Sequence, residues 1–478
     1  MLQTDIEKAI KLLESKVSAF KGDFTLADAS AVSGLSVDEA KSALDAMMAK
    51  YDCRLRLTEN GDLIYGFGAS LRRRGAKTWK DYVAAIGQIF WKIFTWFYKA
   101  WIAITLVVYF GIFLVLLIAM VVAAVAASKD SKRSPVNLGK IFDVFFSIFR
   151  WRTITGDIGY KVDNRGYRYK NYTPRPSPLN ENKKSFMASV YDFVFGPERV
   201  QIDPLANARE VAAYLRREKG IITPAELIAL AGWTREKAES FLSDCIVRFQ
   251  GEILFTDNGV IYGRFDQITR KKESAQDGAI EYYWDEYEPD YELTGNTTGR
   301  NALISFMNIF NLAFSVLILK TYYRPLEDMP WMNESPWIGV FLGWVPFVFS
   351  LIFFIIPLFR SFAIIKQKRN RRAMNVRKRI MRYLFSIPSA SATVDEVVTY
   401  INGKSKGEEV LKKHDVQEAL DSMLRDFNGE TTLNNNGDVR YTFPQIEQEL
   451  KESELLRKNR SIDNDLGAVI VDTQNTQS

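Results

Sequence analysis

Cysteine and histidine are nearly absent: the 478-residue chain has two cysteines, Cys53 and Cys245, and one histidine, His414. Neither cysteine has a second cysteine or a histidine at ligand spacing, which excludes a disulfide framework and a structural zinc site. His414, in LKKHDVQ just before an expected helix, reads as a surface or capping residue. The chain also lacks a GxxxxGK[ST] loop and a GxGxxG turn after a strand, the two arrangements that cradle phosphates. No catalytic constellation and no cofactor or metal site is expected, so an enzyme is not the reading. The start, MLQTDIEKAIKLLESKV, has no basic stretch followed by an apolar core. No cleaved signal peptide is expected there, and the N-terminus is expected in the cytoplasm.

What the chain does have is apolar length in blocks. Hydrophobic residues make up 47% of it, yet the mean hydropathy is only −0.12, because uncharged runs alternate with highly charged segments. That is the composition of a membrane protein with large soluble parts, and the length suggests about three domains. Ala100 to Ser128 carries no charge and exceeds the roughly 20 residues a helix needs to span a bilayer. Asn301 to Leu319 is a shorter uncharged run that includes Asn308 and Asn311, and Ser335 to Phe359 is a third, interrupted by Pro346 and Pro357. A kinked helix is expected in the third, since each proline removes a backbone donor. Thr78 to Lys99 mixes Trp79, Tyr82, Trp91, Trp96 and Tyr98 with Lys80, Lys92 and Lys99, as in a helix lying at headgroup level; a soluble amphipathic helix is the alternative. Lys140 to Arg152 repeats the pattern and is too short to cross.

The net charge of +6 sits mainly beside these runs, where it reports topology rather than nucleic-acid binding. Lys366 to Arg382 holds nine basic and no acidic residues and marks a cytoplasmic end, whereas the loop with Arg324, Glu327, Asp328 and Glu334 should face outward. The first run has basic residues on both sides: Arg72, Arg73 and Arg74 before it, and thirteen basic against five acidic residues from Lys129 to Lys184. Either residues 78–152 insert and return, or the run crosses once and leaves the middle domain outside. The charge rule favours the first.

The soluble parts repeat. Phe24 to Gly61 aligns without a gap on Ile222 to Gly259, sharing Thr25/Thr223, Gly34/Gly232, Ala40/Ala238, Leu44/Leu242, Thr58/Thr256, Asn60/Asn258 and Gly61/Gly259. A divergent third copy places Phe427, Gly429, Glu430, Asn436 and Gly437 opposite Phe249, Gly251, Glu252, Asn258 and Gly259. Thr25, Thr223 and Thr393 are expected helix starts, with Ser36 and Thr234 capping a third helix. An Asn-Gly turn between β-prone runs, such as Gly251 to Phe255 and Val260 to Phe265, signals a hairpin. Helix, helix, turn, helix and hairpin is the winged-helix order; an unrelated small α+β domain is the alternative.

A DNA reader of this kind needs basic or amide side chains on its third helix. The first copy offers Asp38, Glu39 and Asp45 against Lys41 and Lys50, and the third Asp415, Glu418, Asp421 and Asp426 against Arg425. The middle copy is balanced. Phosphates would be repelled by two of the three, so DNA is not an expected partner and protein binding is.

The junction SVYDFVFGPERVQIDPLANAREVAAYLRREKGIITPAEL, with the preceding AASKDSKRS and FDVFFSIFRW, resembles an uncharacterised family of bacterial and plastid membrane proteins that share a Phe-Gly junction before a helical repeat. The resemblance covers roughly Trp101 to Phe265. A link to iron-sulfur cluster assembly attached to some plastid relatives is not supported here. Cys53 and Cys245 are not at equivalent positions, Met47 being the match to Cys245, and cluster scaffolds need several thiolates.

The expected fold is α+β soluble repeats with α-helical membrane segments: three winged-helix-like domains and two or three transmembrane helices. Residues 1–70, 199–268 and 383–444 are the three repeats. Between them lie the 78–152 membrane region, a basic linker at 153–198, an acidic aromatic linker at 269–300, a transmembrane hairpin at 301–359 and a basic juxtamembrane helix at 360–382. A charged helix and a tail without fixed structure, containing VIVD as a candidate docking motif, fill 445–478. Lys366, Lys368, Arg369, Arg371 and Arg372 are candidates for contact with lipid headgroups, and Asn308 and Asn311 for polar bonds between helices. Glu281 to Glu292, EYYWDEYEPDYE, reads either as a docking peptide for a basic partner or as a strap on the chain's own basic surface. The leading function is a scaffold or adaptor in the bacterial inner membrane, its domains in the cytoplasm, binding other proteins or assembling as a homo-oligomer. An oligomeric channel or transport component is the second reading, and a membrane-bound DNA-binding regulator the third.

Overall fold

The computed structural model describes residues 3–17, 20, 22–68, 71–72, 79–127, 185–197, 203–272, 278–286, 292–323, 336–404, 410–433, 437–462 and 466–473. An N-terminal unit is built from α1 (Gln3–Lys16), β1 (Phe24–Thr25), α2 (Leu26–Ser33), α3 (Val37–Lys50), β2 (Arg54–Thr58) and β3 (Leu63–Gly66). The long helix α4 (Trp79–Ala127) and the short apolar helix α5 (Phe186–Phe195) follow. A middle unit comprises α6 (Ala206–Arg217), β4 (Ile221–Ile222), α7 (Pro224–Ala231), α8 (Arg235–Phe249), β5 (Glu252–Phe255) and β6 (Ile261–Arg264). Then come α9 (Thr298–Tyr323) and α10 (Pro336–Ser386), whose residues Gly339–Trp344 form a wide π-type turn. The chain closes with β7 (Ser391–Thr393), α11 (Val394–Lys404), α12 (Lys413–Phe427), β8 (Glu430–Leu433), β9 (Val439–Thr442), α13 (Pro444–Asn459) and β10 (Val469–Asp472).

Local chemistry sets the helix starts. The Thr25 hydroxyl accepts from the Asp28 amide at 3.1 Å while the Thr25 amide donates to the Asp28 carboxylate at 2.9 Å. Ser36 with Glu39 and Thr393 with Glu396 repeat this reciprocal cap, which satisfies amide donors left open by a first helical turn. Each unit holds three antiparallel strands in one order: β1-β3-β2, β4-β6-β5 and β7-β9-β8. The hairpins turn at Gly61, Gly259 and Gly437, whose φ values of +81°, +77° and +83° suit residues without a Cβ. The strand that opens each sheet, β1, β4 or β7, has two or three residues and is absent from the sequence reading, being too short to show alternation.

Unit one keeps its own core around Phe24, Leu44, Met47 and Tyr65. The middle and C-terminal units share one continuous core, in which Phe249 with Phe265 and Phe427 with Phe443 form corresponding edge-to-face pairs. Val376, Ile380, Met381 and Leu384 from the end of α10 belong to it, so α10 supplies the first helix of the C-terminal unit. The boundary expected at residue 383 therefore falls inside a helix.

Among the described residues three helices are long and apolar enough to cross a bilayer: Ile93–Ala123 within α4, all of α9, and α10. α4 and α9 run side by side in the same direction, matching Leu106 to Asn311, Phe110 to Phe310 and Phe113 to Phe314. α10 runs opposite, with Ser350 at Asn308 and Gly343 beneath Leu319. α4 continues without a break through the expected boundary between an interfacial helix and a span. A reversal inside residues 79–127 is excluded, and Lys140 to Arg152 lies outside the described residues.

Candidate interaction surfaces

Asn308, Asn311, Ser315 and Ser350 are fully buried in the apolar bundle. The Asn308 amide donates to the Ser350 carbonyl at 3.0 Å and the Asn311 amide to the Leu106 carbonyl at 3.1 Å. α9 is thereby tied to both neighbours through two side chains one helical turn apart. The carbonyls of both asparagines and the Ser350 hydroxyl have no hydrogen-bond partner among the described residues.

At the end of the bundle that faces the units, α5 lies against α4, α9 and α10. Tyr98 and Tyr191 both meet the Phe195 ring, and Phe193 stacks on Phe353 at 5.4 Å. The Phe195-Gly196 junction ends α5. Gly196 has φ +85°, and a Cβ there would lie 2.5 Å from the Arg360 guanidinium, which donates to the Val194 carbonyl at 2.7 Å. Only glycine fits both the backbone and the close approach.

The basic stretch of α10 divides into two parts. Lys366, Lys368 and Arg369 are exposed and form no ion pair among the described residues, just beyond the exposed Phe359, Phe362 and Ile365. Arg372 reaches Asp415 at 3.3 Å, and Arg371 is half-buried. Further along, Lys378 and Arg382 meet Glu286 and Asp285 at 3.8 and 3.9 Å. The acidic aromatic segment is thus a strap over the chain's own basic helix through Glu286, and its residues 287–291 lie outside the described residues. Tyr283 packs under the strap against Gly232, with the Lys378 ammonium 4.6 Å from its ring, while Trp284 stacks on Tyr282 and touches Phe385.

Buried charges join the units. Asp28 at the start of α2 faces Arg216 of α6 at 2.8 Å, and both side chains are almost wholly excluded from solvent. The pair is held by charge at contact distance, while Arg216 donates to the Ile268 carbonyl at 2.9 Å. α8 lies between α3 and α12, and its Arg248 donates to the Gly34 carbonyl at 3.0 Å. α13 crosses from the C-terminal unit onto α7. Its Glu449 pairs with Arg235 and accepts from the Ala225 amide at 2.7 Å, and its Arg457 meets Glu226 at 2.6 Å. Burial pushes the Glu449 carboxyl above its ordinary value, against the pull of Arg235. None of these long-range partners has a local sequence signal.

The tail carries a strand where none was expected. β10 pairs antiparallel with the outer edge of β2 and makes the N-terminal sheet four-stranded, in the order β1-β3-β2-β10. Arg54 holds Asp472 through two nitrogens at 3.0 and 2.5 Å, the Glu59 amide donates to the Ala468 carbonyl at 2.9 Å, and the Thr473 amide to the Leu55 carbonyl at 3.1 Å.

Cys53 is half-buried in the N-terminal unit, Cys245 lies in the middle core, and His414 is exposed on α12. Among the described residues no three His, Cys, Asp or Glu side chains are grouped to hold a metal ion. No family model matches the chain. The chain is similar to an uncharacterized chloroplastic protein of Arabidopsis thaliana, with 26% identity over 381 residues. The match covers 73% of this chain and 66% of that protein, so the chain spans about two thirds of its relative's length. No solved structure matches.

Proposed function

We propose that the protein is an integral membrane scaffold whose three soluble units are winged-helix domains used for protein binding. Helix, strand, helix, helix, strand, strand with sheet order 1-3-2 is the element order of that fold, and it supports the reading in all three units. The observation that carries the function is the position of α8, the middle unit's third helix. It is flanked by α3 and α12, with Arg248 committed to Gly34, and a helix so flanked does not enter a major groove. Acidic residues on α3 and α12 add repulsion of phosphate. The outward wings of the middle and C-terminal units each end instead in an exposed apolar side chain, Phe255 at 66% and Leu433 at 77%, as suits a protein-binding surface.

Lys366, Lys368 and Arg369 contact anionic headgroups where α10 leaves the bilayer. The chloroplastic relative supports a plastid membrane as the setting, over the bacterial inner membrane expected from the sequence. Photo-crosslinkers at Phe255 and Leu433 in nanodisc-embedded protein should trap protein partners. Phe255→Glu with Leu433→Glu should release those partners without lowering the melting temperature. Retention of a specific DNA duplex at physiological salt would refute the reading.

A further inference from the structure

We propose that the outer edge of β2 is a docking site for an extended segment of a partner protein, apolar over three residues and followed by an aspartate, and that β10 is a resident competitor for it. The inference rests on the reading of the units as protein-binding modules and names the partner chemistry of one of them.

β10 shows what the edge accepts. Its backbone continues the sheet, with hydrogen bonds at both ends, and the Asp472 carboxylate is clamped by the planar Arg54 guanidinium. Strand addition of this kind takes affinity from main-chain bonds and specificity from a few side chains. The strand is lightly held otherwise. Val469, Ile470 and Val471 remain 46%, 57% and 50% exposed, so little apolar surface would be lost by exchanging the tail for another segment. The tail follows α13, which is fixed on the middle unit by Arg457 at Glu226, and Arg460 just beyond the helix meets Asp266.

The edge is particular to this unit. The gap-free alignment places Glu252 where the N-terminal unit has Arg54, and Glu430 occupies that place in the third. Glu252 is already paired with Arg264 at 2.6 Å. Each of those edges has an acidic residue where Arg54 clamps the tail carboxylate, and among the described residues neither carries a fourth strand.

The test uses the full chain in nanodiscs with Val471→Pro and Asp472→Lys, changes that remove a ladder donor and the carboxylate and so unhook the tail. The probe is a fluorescein-labelled peptide of residues 466–475, read by anisotropy. Saturable binding to the unhooked chain is expected, with binding to the wild-type chain about tenfold or more weaker, because the tethered tail competes intramolecularly. Adding Arg54→Glu to the unhooked chain should abolish binding, and a peptide carrying Asp472→Lys should restore it. No binding to the unhooked chain, equal binding to both chains, or indifference to Arg54→Glu would each overturn the proposal. So would a wild-type dimer that dissociates when the tail is unhooked, because that outcome assigns the edge to a second copy. Failure of the peptide while partners are still trapped at Phe255 would remove this edge and leave the scaffold reading standing.

Discussion

Replacing Asp28 with asparagine should loosen the N-terminal unit from the middle one far more than a surface substitution would. The carboxylate is 0% and the Arg216 side chain 1% exposed, and they face each other at 2.8 Å across α2 and α6. Asparagine keeps an oxygen for the Thr25 amide, so the helix cap largely survives and the guanidinium is left buried without its counter-charge. Breaking one side of such a pair costs about 3–5 kcal/mol, which is about a hundredfold or more in the equilibrium between docked and undocked units. An exposed pair would be worth about 0–1 kcal/mol. Native-state hydrogen exchange on nanodisc-embedded protein reads the opening of α2 and α6 directly. Asp28→Asn and Arg216→Met should each lower the opening free energy of both helices. The double variant, which removes both charges, should regain much of the loss, giving a coupling of about 3 kcal/mol. A coupling below about 0.5 kcal/mol would refute the idea that this pair fixes the two units together.

The docking of α13 should depend on pH through Glu449. Burial raises its folded carboxyl value, so the folded chain keeps a proton that the unfolded chain releases. The contribution is fully present below the unfolded carboxylate value, about pH 4, and is lost as pH rises through the raised folded value. Glu449→Gln should flatten this dependence in the exchange protection of α13, and an unchanged pH profile would count against the assignment. In the bundle, Asn308→Leu and Asn311→Leu should each weaken helix association by about 0.6–1.7 kcal/mol, measured by unfolding in mixed detergent and SDS micelles. No loss in either would show that these amides do not join α9 to α10 and α4.

The three apolar runs, the Asn-Gly hairpins and the Thr and Ser helix starts were legible because each depends on chemistry within a few residues. Long-range pairing was not. VIVD is β-prone by composition, but its partner strand lies more than 400 residues earlier, and the Arg54–Asp472 clamp exists only after the chain has folded. The Asp28–Arg216 and Glu449–Arg235 pairs were hidden for the same reason. Helix continuity departs from the sequence expectation for another reason. Aromatic and lysine-rich composition marks where a helix meets headgroups, but nothing in Thr78 to Lys99 interrupts backbone hydrogen bonding, so α4 runs through it. Pro346 and Pro357 are both expected to disturb their helix; the wide turn at Gly339–Trp344 directly precedes Pro346, where carbonyls facing the proline lose their donor, whereas the helix continues through Pro357 to Ser386.

Topology follows from the soluble contacts rather than from the charge counts alone. The first and middle units share a buried ion pair, and the middle and third share a core, so all three occupy one side of any bilayer that the bundle crosses. The middle unit cannot lie outside while the first lies inside. From Tyr98, which meets Phe195 at the unit-facing end, α4 rises about 43 Å to Ala127 at 1.5 Å per residue, enough to carry the chain to the opposite face. α10 returns to the units as one long helix and becomes the first helix of the third, so the bundle and the core shared by the middle and third units are joined through a single helix.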